Sequence, residues 1–425
     1  MLQKIKAKLS LESNKRVFYN FLSMSFLQGA NYILPLIILP YLVRVLGVEY
    51  FGVWSFVTAV MAYLVLVVDY GFELSATNAV SINRENEEKI EEIFGSVFII
   101  KFFLIGSSFL FLFILLIFME KFSQFFWVYV VAFGMVVGQG IFPVWFFLGM
   151  ERMGYITFLN IVAKLLFTIF LFIFVKTKED LILVAFFNSL GYLIVGFYSI
   201  YLIKREFGIT FKFQPFSVVK EYLIEGWYVF VSRISVTFYS TINTILLGLL
   251  TTDVLVGYYS IAEKITVAAS GIIYPLLKAV YPYFSSVYKE SRERFFYLNK
   301  KLSLYILFIL VPLFSVLFVF SREILYFISG EEPSSLMVFT LQVFSFKVLF
   351  SSYGTQWTQI LITLSQGKVL QKILVRAAFI NMLLAPLVIF LFGLQGLVFW
   401  GLFISLYTTL SQGAAIYRIK KEFKN

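Results

Sequence analysis

Twelve long, mostly apolar stretches recur along the 425-residue chain, separated by short segments that carry charges or turn residues. Their limits are 17–43, 51–74, 93–118, 125–148, 155–175 and 181–203, then 222–250, 255–283, 302–321, 335–364, 373–392 and 394–417. A helix of about 20 apolar residues spans the ~30 Å hydrocarbon layer of a bilayer. Repeated twelve times, the pattern admits an all-α integral membrane protein and little else. Composition agrees: 60% of residues are hydrophobic and only 14% charged, whereas soluble domains carry about 25% charged residues. In water such a chain would expose apolar surface and aggregate.

Orientation follows from where the basic residues fall, because cytoplasmic segments are enriched in Lys and Arg. With the N-terminus inside, the inner segments hold 23 of the 35 Lys and Arg, the outer segments 5 and the spans 7. Both termini are then cytoplasmic, which requires an even number of spans. The formal charge of +11 sits at helix ends, so it speaks for a membrane surface and not for nucleic acid. Residues 1–16 read as a short interfacial helix, with Leu2, Ile5, Leu9 and Leu11 among lysines, and not as a cleaved signal peptide.

An internal repeat is visible at a shift of 205 residues. Gly52 falls on Gly257, Ser55 on Ser260, Arg84-Glu85 on Lys289-Glu290 and Glu88-Lys89 on Glu293-Arg294. Six spans per half start each half on the same side, giving two six-helix lobes related by a parallel repeat, a known transporter plan. The expected division is an N-terminal lobe at 1–203, a cytoplasmic linker at 204–220 containing Pro215, and a C-terminal lobe at 221–425.

Ionisable groups inside a span are costly and usually face a polar interior. Seven are basic: Lys101, Lys164, Arg233, Lys264, Lys278, Lys347 and Arg376. Three are acidic: Asp69, Glu73 and Glu263. The surplus of positive charge would select an anionic cargo, with the seven cations as its binding set. The three carboxylates are the candidates for ion coupling. Snorkelling to the headgroups or a structural pair with a carboxylate is the plainer alternative for the cations, above all for Arg376, Lys101 and Lys164. Pro35 and Pro40 interrupt the first span and are candidate hinges. Gln28, Asn31, Asn78, Gln139, Asn160, Asn188, Asn243, Gln356 and Gln359 could bond sugars or glue helices together.

No catalytic constellation emerges. The chain has no His and no Cys, which removes thiolate chemistry and the commonest base and metal ligand. No Gly-rich loop ends in Lys-Ser/Thr, so ATP hydrolysis is not expected. Outer segments of no more than about 15 residues leave no room for the outer domain that a membrane polymerase or glycosyltransferase needs. The reading is a transporter, with no cofactor and no metal.

Leu46-Gly47-Val48-Glu49-Tyr50-Phe51-Gly52, then Asp69-Tyr70-Gly71-Phe72 and Ser75-Ala76-Thr77, resemble the N-terminal signature of Wzx-type O-antigen flippases. Pro143-Val144-Trp145-Phe146-Phe147-Leu148-Gly149-Met150-Glu151 resembles that family's fourth-span motif. The resemblance is clearest over residues 1–160. It implies the fold of the multidrug/oligosaccharidyl-lipid/polysaccharide exporter superfamily. It also implies inner-membrane export of undecaprenyl-diphosphate-linked O-units to the periplasmic leaflet, by alternating access driven by an ion gradient. The partners it implies are that lipid-linked glycan, membrane lipid, an O-antigen polymerase and a chain-length regulator. A capsular, teichoic or other surface glycan is an alternative cargo. A cation-coupled multidrug exporter of the same fold is the other alternative; such exporters usually carry an acidic site in the first span, and residues 17–43 contain no Asp or Glu.

Overall fold

The computed structural model describes the backbone of residues 2–422, with side chains apart from those of 2–18, 20, 21, 25, 232 and 235–240. The side chains of the expected interfacial segment, 1–16, therefore lie outside the described residues. In chain order the helices are α1 (Leu2–Asp69), α2 (Phe72–Ile82), α3 (Glu87–Phe118), α4 (Glu120–Ser123), α5 (Phe126–Ile141), α6 (Val144–Gly149), α7 (Met153–Phe174) and α8 (Leu181–Phe207). They continue as α9 (Phe216–Ser240), α10 (Ile242–Leu250), α11 (Asp253–Gly271), α12 (Ile273–Glu290), α13 (Arg292–Val319), α14 (Ser321–Ser329), α15 (Ser335–Thr363) and α16 (Gly367–Glu422). Among the described residues there is no strand. The all-α membrane fold expected from the sequence is the fold found.

Nine helical segments among the described residues are long and apolar enough to cross a membrane. Two of them, Leu22–Ile82 with 61 residues and Gly367–Glu422 with 56, are too long for one crossing. At 1.5 Å per residue each would run for roughly 85–90 Å, about three times the hydrocarbon thickness. Glycines break both. Gly47 (φ 75°, ψ 165°) falls between the first two expected spans, and Gly393 (φ 58°, ψ −144°) between the last two. Pro35 and Pro40 lie inside α1 without such a break; Gly47 is the non-helical position there.

The chain packs as two compact units, Met1–Asn31 with Val57–Ile234, and Tyr32–Phe56 with Ser235–Asn425. In the first unit α2 and α6 meet over an aromatic core. Phe94, Trp145, Phe146 and Phe147 are all at most 2% exposed, and Trp145 and Phe146 meet edge to face at 6.1 Å. Both resemblance motifs take part: Thr77 Oγ1 donates to the Trp145 carbonyl at 3.2 Å, and Arg84 bridges to Glu151 at 2.7 Å. The stretch between α8 and α9 is tied down within this unit. Thr210 donates to Glu91 Oε1 from its backbone (3.2 Å) and hydroxyl (2.8 Å), and Lys212 pairs with the other oxygen of the same carboxylate. That carboxylate holds the exposed Lys212 ammonium above the usual lysine range through its hydrogen bond and charge.

In the second unit, lipid tails give helices no hydrophobic reason to associate, so close packing at small residues does the work. Gly52 and Gly257 supply it. A Cβ on Gly52 would strike the Asp253 carbonyl, and one on Gly257 would strike the Val48 carbonyl. Val48 and Asp253 are separated by the same 205 positions as Gly52 and Gly257, so the contact is reciprocal under the shift seen in the sequence. The turns after α6 and α15, 214 positions apart and so off that shift, share a local geometry. Glu151 (φ 55°) and Ser365 (φ 58°) are both left-handed. The following amides reach back five residues in each, Arg152 to the Phe147 carbonyl and Gln366 to the Leu361 carbonyl, both at 2.8 Å. These are the six-to-one bonds of a Schellman ending.

Candidate functional sites

The first unit gathers four of the ten intramembrane charges. Helix α1 ends at Asp69 because Tyr70 (φ 49°) and Gly71 (φ 78°) adopt left-handed backbone, and α2 restarts at Phe72. Gly71 is required twice over: by its φ, and because a Cβ there would lie 2.7 Å from Val229 Cγ1 on α9. Tyr70 stacks on Phe230 at 5.1 Å, pressing α9 onto the break. The break sets Asp69 at a helix C-terminus and Glu73 in the first turn of the next helix. A carboxylate at a C-terminus opposes the helix dipole, whereas one in a first turn is favoured by it, so Asp69 needs cations more than Glu73 does.

Two are present. Arg233 spans both acids, Nη1 to Asp69 Oδ2 and Nη2 to Glu73 Oε2, each at 2.5 Å. Lys101, only 3% exposed, places its ammonium 3.9 Å from Asp69 Oδ1. Two cations and two anions make the cluster neutral overall. Elsewhere in this unit Lys164 donates to the Asn31 side chain, and Asn160 to the Ile156 carbonyl at 2.9 Å.

The second unit holds a polar cavity of about 290 Å³. Glu263 on α11 and Lys347 on α15 both line it and attract one another. The Lys347 ammonium also stands 4.3 Å from the Phe344 ring centroid, and Phe344 packs edge to face on Tyr259 at 5.1 Å. Asn243 of α10 and Asn381 of α16 form one wall. Asn381 donates to Asn243 Oδ1 at 3.0 Å and accepts from Trp400 Nε1 at 2.9 Å, so the indole fixes the amide's orientation. Ser270 and Ser351, also in the lining, are bonded to each other at 3.1 Å.

The remaining cations are spread out. Lys264 and Arg376 are exposed, and Lys278 is half-buried with its ammonium 5.8 Å from the Tyr274 ring. Gln356 is a structural amide, accepting from Ser303 at 3.0 Å and donating to the Asn299 carbonyl at 3.1 Å. The residue that sequence reasoning passed over is Asn381. Its signal was present: an amide near the middle of the apolar run 373–392.

Such a fold, with a charged cluster and a cavity among long apolar helices, is that of a multi-pass membrane protein. Solved structures share this fold. One is described as "Lipid II flippase MurJ, inward closed conformation", with a TM-score of 0.72 at 13% identity over 94% of this chain and 87% of that one. Another is an inward-facing multidrug resistance MATE family transporter of the MOP superfamily, with a TM-score of 0.67 at 14% identity over 91% of this chain and 98% of that one. Residues 17–288 match the family described as "Polysaccharide biosynthesis protein", and the chain belongs to it. Two relatives carry the name "Putative O-antigen transporter". That of Escherichia coli (strain K12) is 32% identical over 384 residues, 89% of each chain. That of Shigella dysenteriae is 28% identical over 388 residues, 89% of this chain and 94% of its own.

Proposed function

We propose that this protein is a flippase that carries an undecaprenyl-diphosphate-linked oligosaccharide, an O-antigen repeat unit, from the cytoplasmic to the periplasmic leaflet of the bacterial inner membrane. The observation that carries the reading is the alignment with O-antigen transporter relatives along 89% of the chain. Twelve crossings in two six-helix lobes supply alternating access, with both termini in the cytoplasm. The reciprocal glycine contact supports the duplication behind those lobes.

The charges divide by role. Arg233 and Lys101 spend theirs on Asp69 and Glu73, which holds the break between α1 and α2. Lys278, Lys264 and Arg376 meet the diphosphate, whose two anionic groups need more than one ammonium or guanidinium. Lys164 and Lys347 hold polar contacts along the route. An ion gradient supplies the energy. Of the three candidate carboxylates, Glu263 opens onto a cavity and is the one a coupling cation or proton reaches.

The test is complementation of a strain that lacks its own O-unit flippase, read as the ladder of long-chain lipopolysaccharide. Wild type restores the ladder, and Lys278→Ala combined with Lys264→Ala reduces it at equal membrane levels. No restoration by a verified, inserted wild type refutes the reading. Drug resistance conferred on a pump-deficient strain would favour the exporter alternative.

A further inference from the structure

The cavity of the second unit has a chemistry that does not suit a diphosphate. Its two charges, Glu263 and Lys347, cancel, and Lys347 is already engaged with an aromatic ring. The rest of the lining is neutral and rich in hydroxyl and amide groups, with Tyr32, Tyr259 and Tyr274 adding flat aromatic faces. At about 290 Å³ it lies at the lower edge of the ~300–1,000 Å³ that ligand sites occupy. That is space for one sugar ring.

One group in the wall is unpaid for by the fold. Ser352 is 2% exposed, lines the cavity, and its hydroxyl has no hydrogen-bond partner. A buried polar group without a partner is destabilising, and rotation of this hydroxyl toward the cavity would let a ligand satisfy it. Gly401 keeps the space open: a Cβ there would meet only the Lys347 ammonium, at 3.9 Å.

We infer that this cavity is a saccharide subsite that takes a single uncharged pyranose ring, an inference that rests on the flippase reading above. Glu263 accepts from sugar hydroxyls, Lys347 and Ser352 donate to them or to ring oxygen, and a tyrosine face covers the apolar C–H face of the ring. The wall is set before the ligand arrives, because Trp400 and Asn243 hold Asn381 in one orientation. Cargo recognition is thereby divided between cations for the lipid diphosphate and a neutral cavity for one sugar.

The experiment titrates the purified full-length protein with free glucose, galactose and N-acetylglucosamine and follows the thermal unfolding midpoint, which rises when a ligand binds the folded state. At least one of these sugars raises the midpoint of wild type. Gly401→Leu, which fills the cavity, abolishes the rise, while Gly401→Ala keeps it. Ser352→Ala leaves the sugar-free midpoint unchanged or higher, since the hydroxyl has no protein partner to lose, and weakens the sugar response several-fold. It also serves if Gly401→Leu does not fold. No response of wild type to any of the three sugars, or equal responses from wild type and both Gly401→Leu and Ser352→Ala, overturns the inference. Long-chain lipopolysaccharide restored in full by Gly401→Leu also overturns it. Sugar binding that depends on Gly401 and Ser352, in a wild type that restores no lipopolysaccharide, removes the flippase reading alone.

Discussion

Arg233 holds two carboxylates that belong to different helices, and that makes it a structural hinge pin before it is anything else. Removing the guanidinium leaves Asp69 and Glu73 with Lys101 as the remaining cation among the described residues. Breaking a fully buried pair costs about 3–5 kcal/mol. Here the side chains of Asp69, Arg233 and Glu73 are 25%, 32% and 40% exposed, so screening lowers the expected loss to roughly 2 kcal/mol. Arg233→Ala should therefore depress the unfolding midpoint of the purified protein, and Asp69→Asn together with Glu73→Gln should restore much of it. A double-mutant cycle with no coupling would show that the three groups do not act together. Each of these charges is visible in the sequence as an anomaly within an apolar run. Their convergence is not, because Asp69 and Arg233 are 164 positions apart and no periodicity joins them. Asn381 shows the opposite failure: it was legible as a polar residue mid-span, and only its bonds to Asn243 and Trp400 reveal it as the wall of a cavity.

At the scale of the helices, hydropathy identified a chain of long apolar helices, and the glycine at 47 breaks α1 where the apolar runs 17–43 and 51–74 are separated. The break at Tyr70–Gly71 was harder to see, since tyrosine seldom adopts positive φ and the surrounding residues read as one continuous span, 51–74. The expected repeat meets one physical counterpart in the crossing at Gly52 and Gly257. There each glycine lets a helix backbone reach the carbonyl of the other segment, and the two halves of the contact are equivalent. Gly52→Ala and Gly257→Ala should each cost about 1–3 kcal/mol by overpacking, and by similar amounts. Thermal unfolding of the two purified variants checks this. A large loss for one with none for the other would remove the equivalence. A second close approach, at Gly95 against the Lys212 carbonyl, anchors the segment between α8 and α9. Gly95→Val should loosen it, read as faster proteolysis within residues 208–215.

For the whole molecule, the asymmetry of 23 expected inner against 5 expected outer Lys and Arg predicts one orientation, and the absence of cysteine makes that orientation directly measurable. Single cysteines can be placed without removing any native thiol. Lys178 and Glu331 fall in expected outer segments, Lys289 and Lys368 in inner ones, and all four side chains are exposed. A membrane-impermeant thiol reagent should label Lys178→Cys and Glu331→Cys in intact cells, and Lys289→Cys and Lys368→Cys only after permeabilisation. Neutralising one lysine leaves the bias in place, so the substitutions themselves do not invert the protein. The pattern reports on parity as well as on sign. Two crossings separate positions 289 and 368 in the twelve-span reading, 302–321 and 335–364, so these sites must behave alike. If Lys368→Cys were labelled from outside while Lys289→Cys stayed protected, an odd number of crossings would lie between them, and the two halves could not each contain six helices starting on the same side.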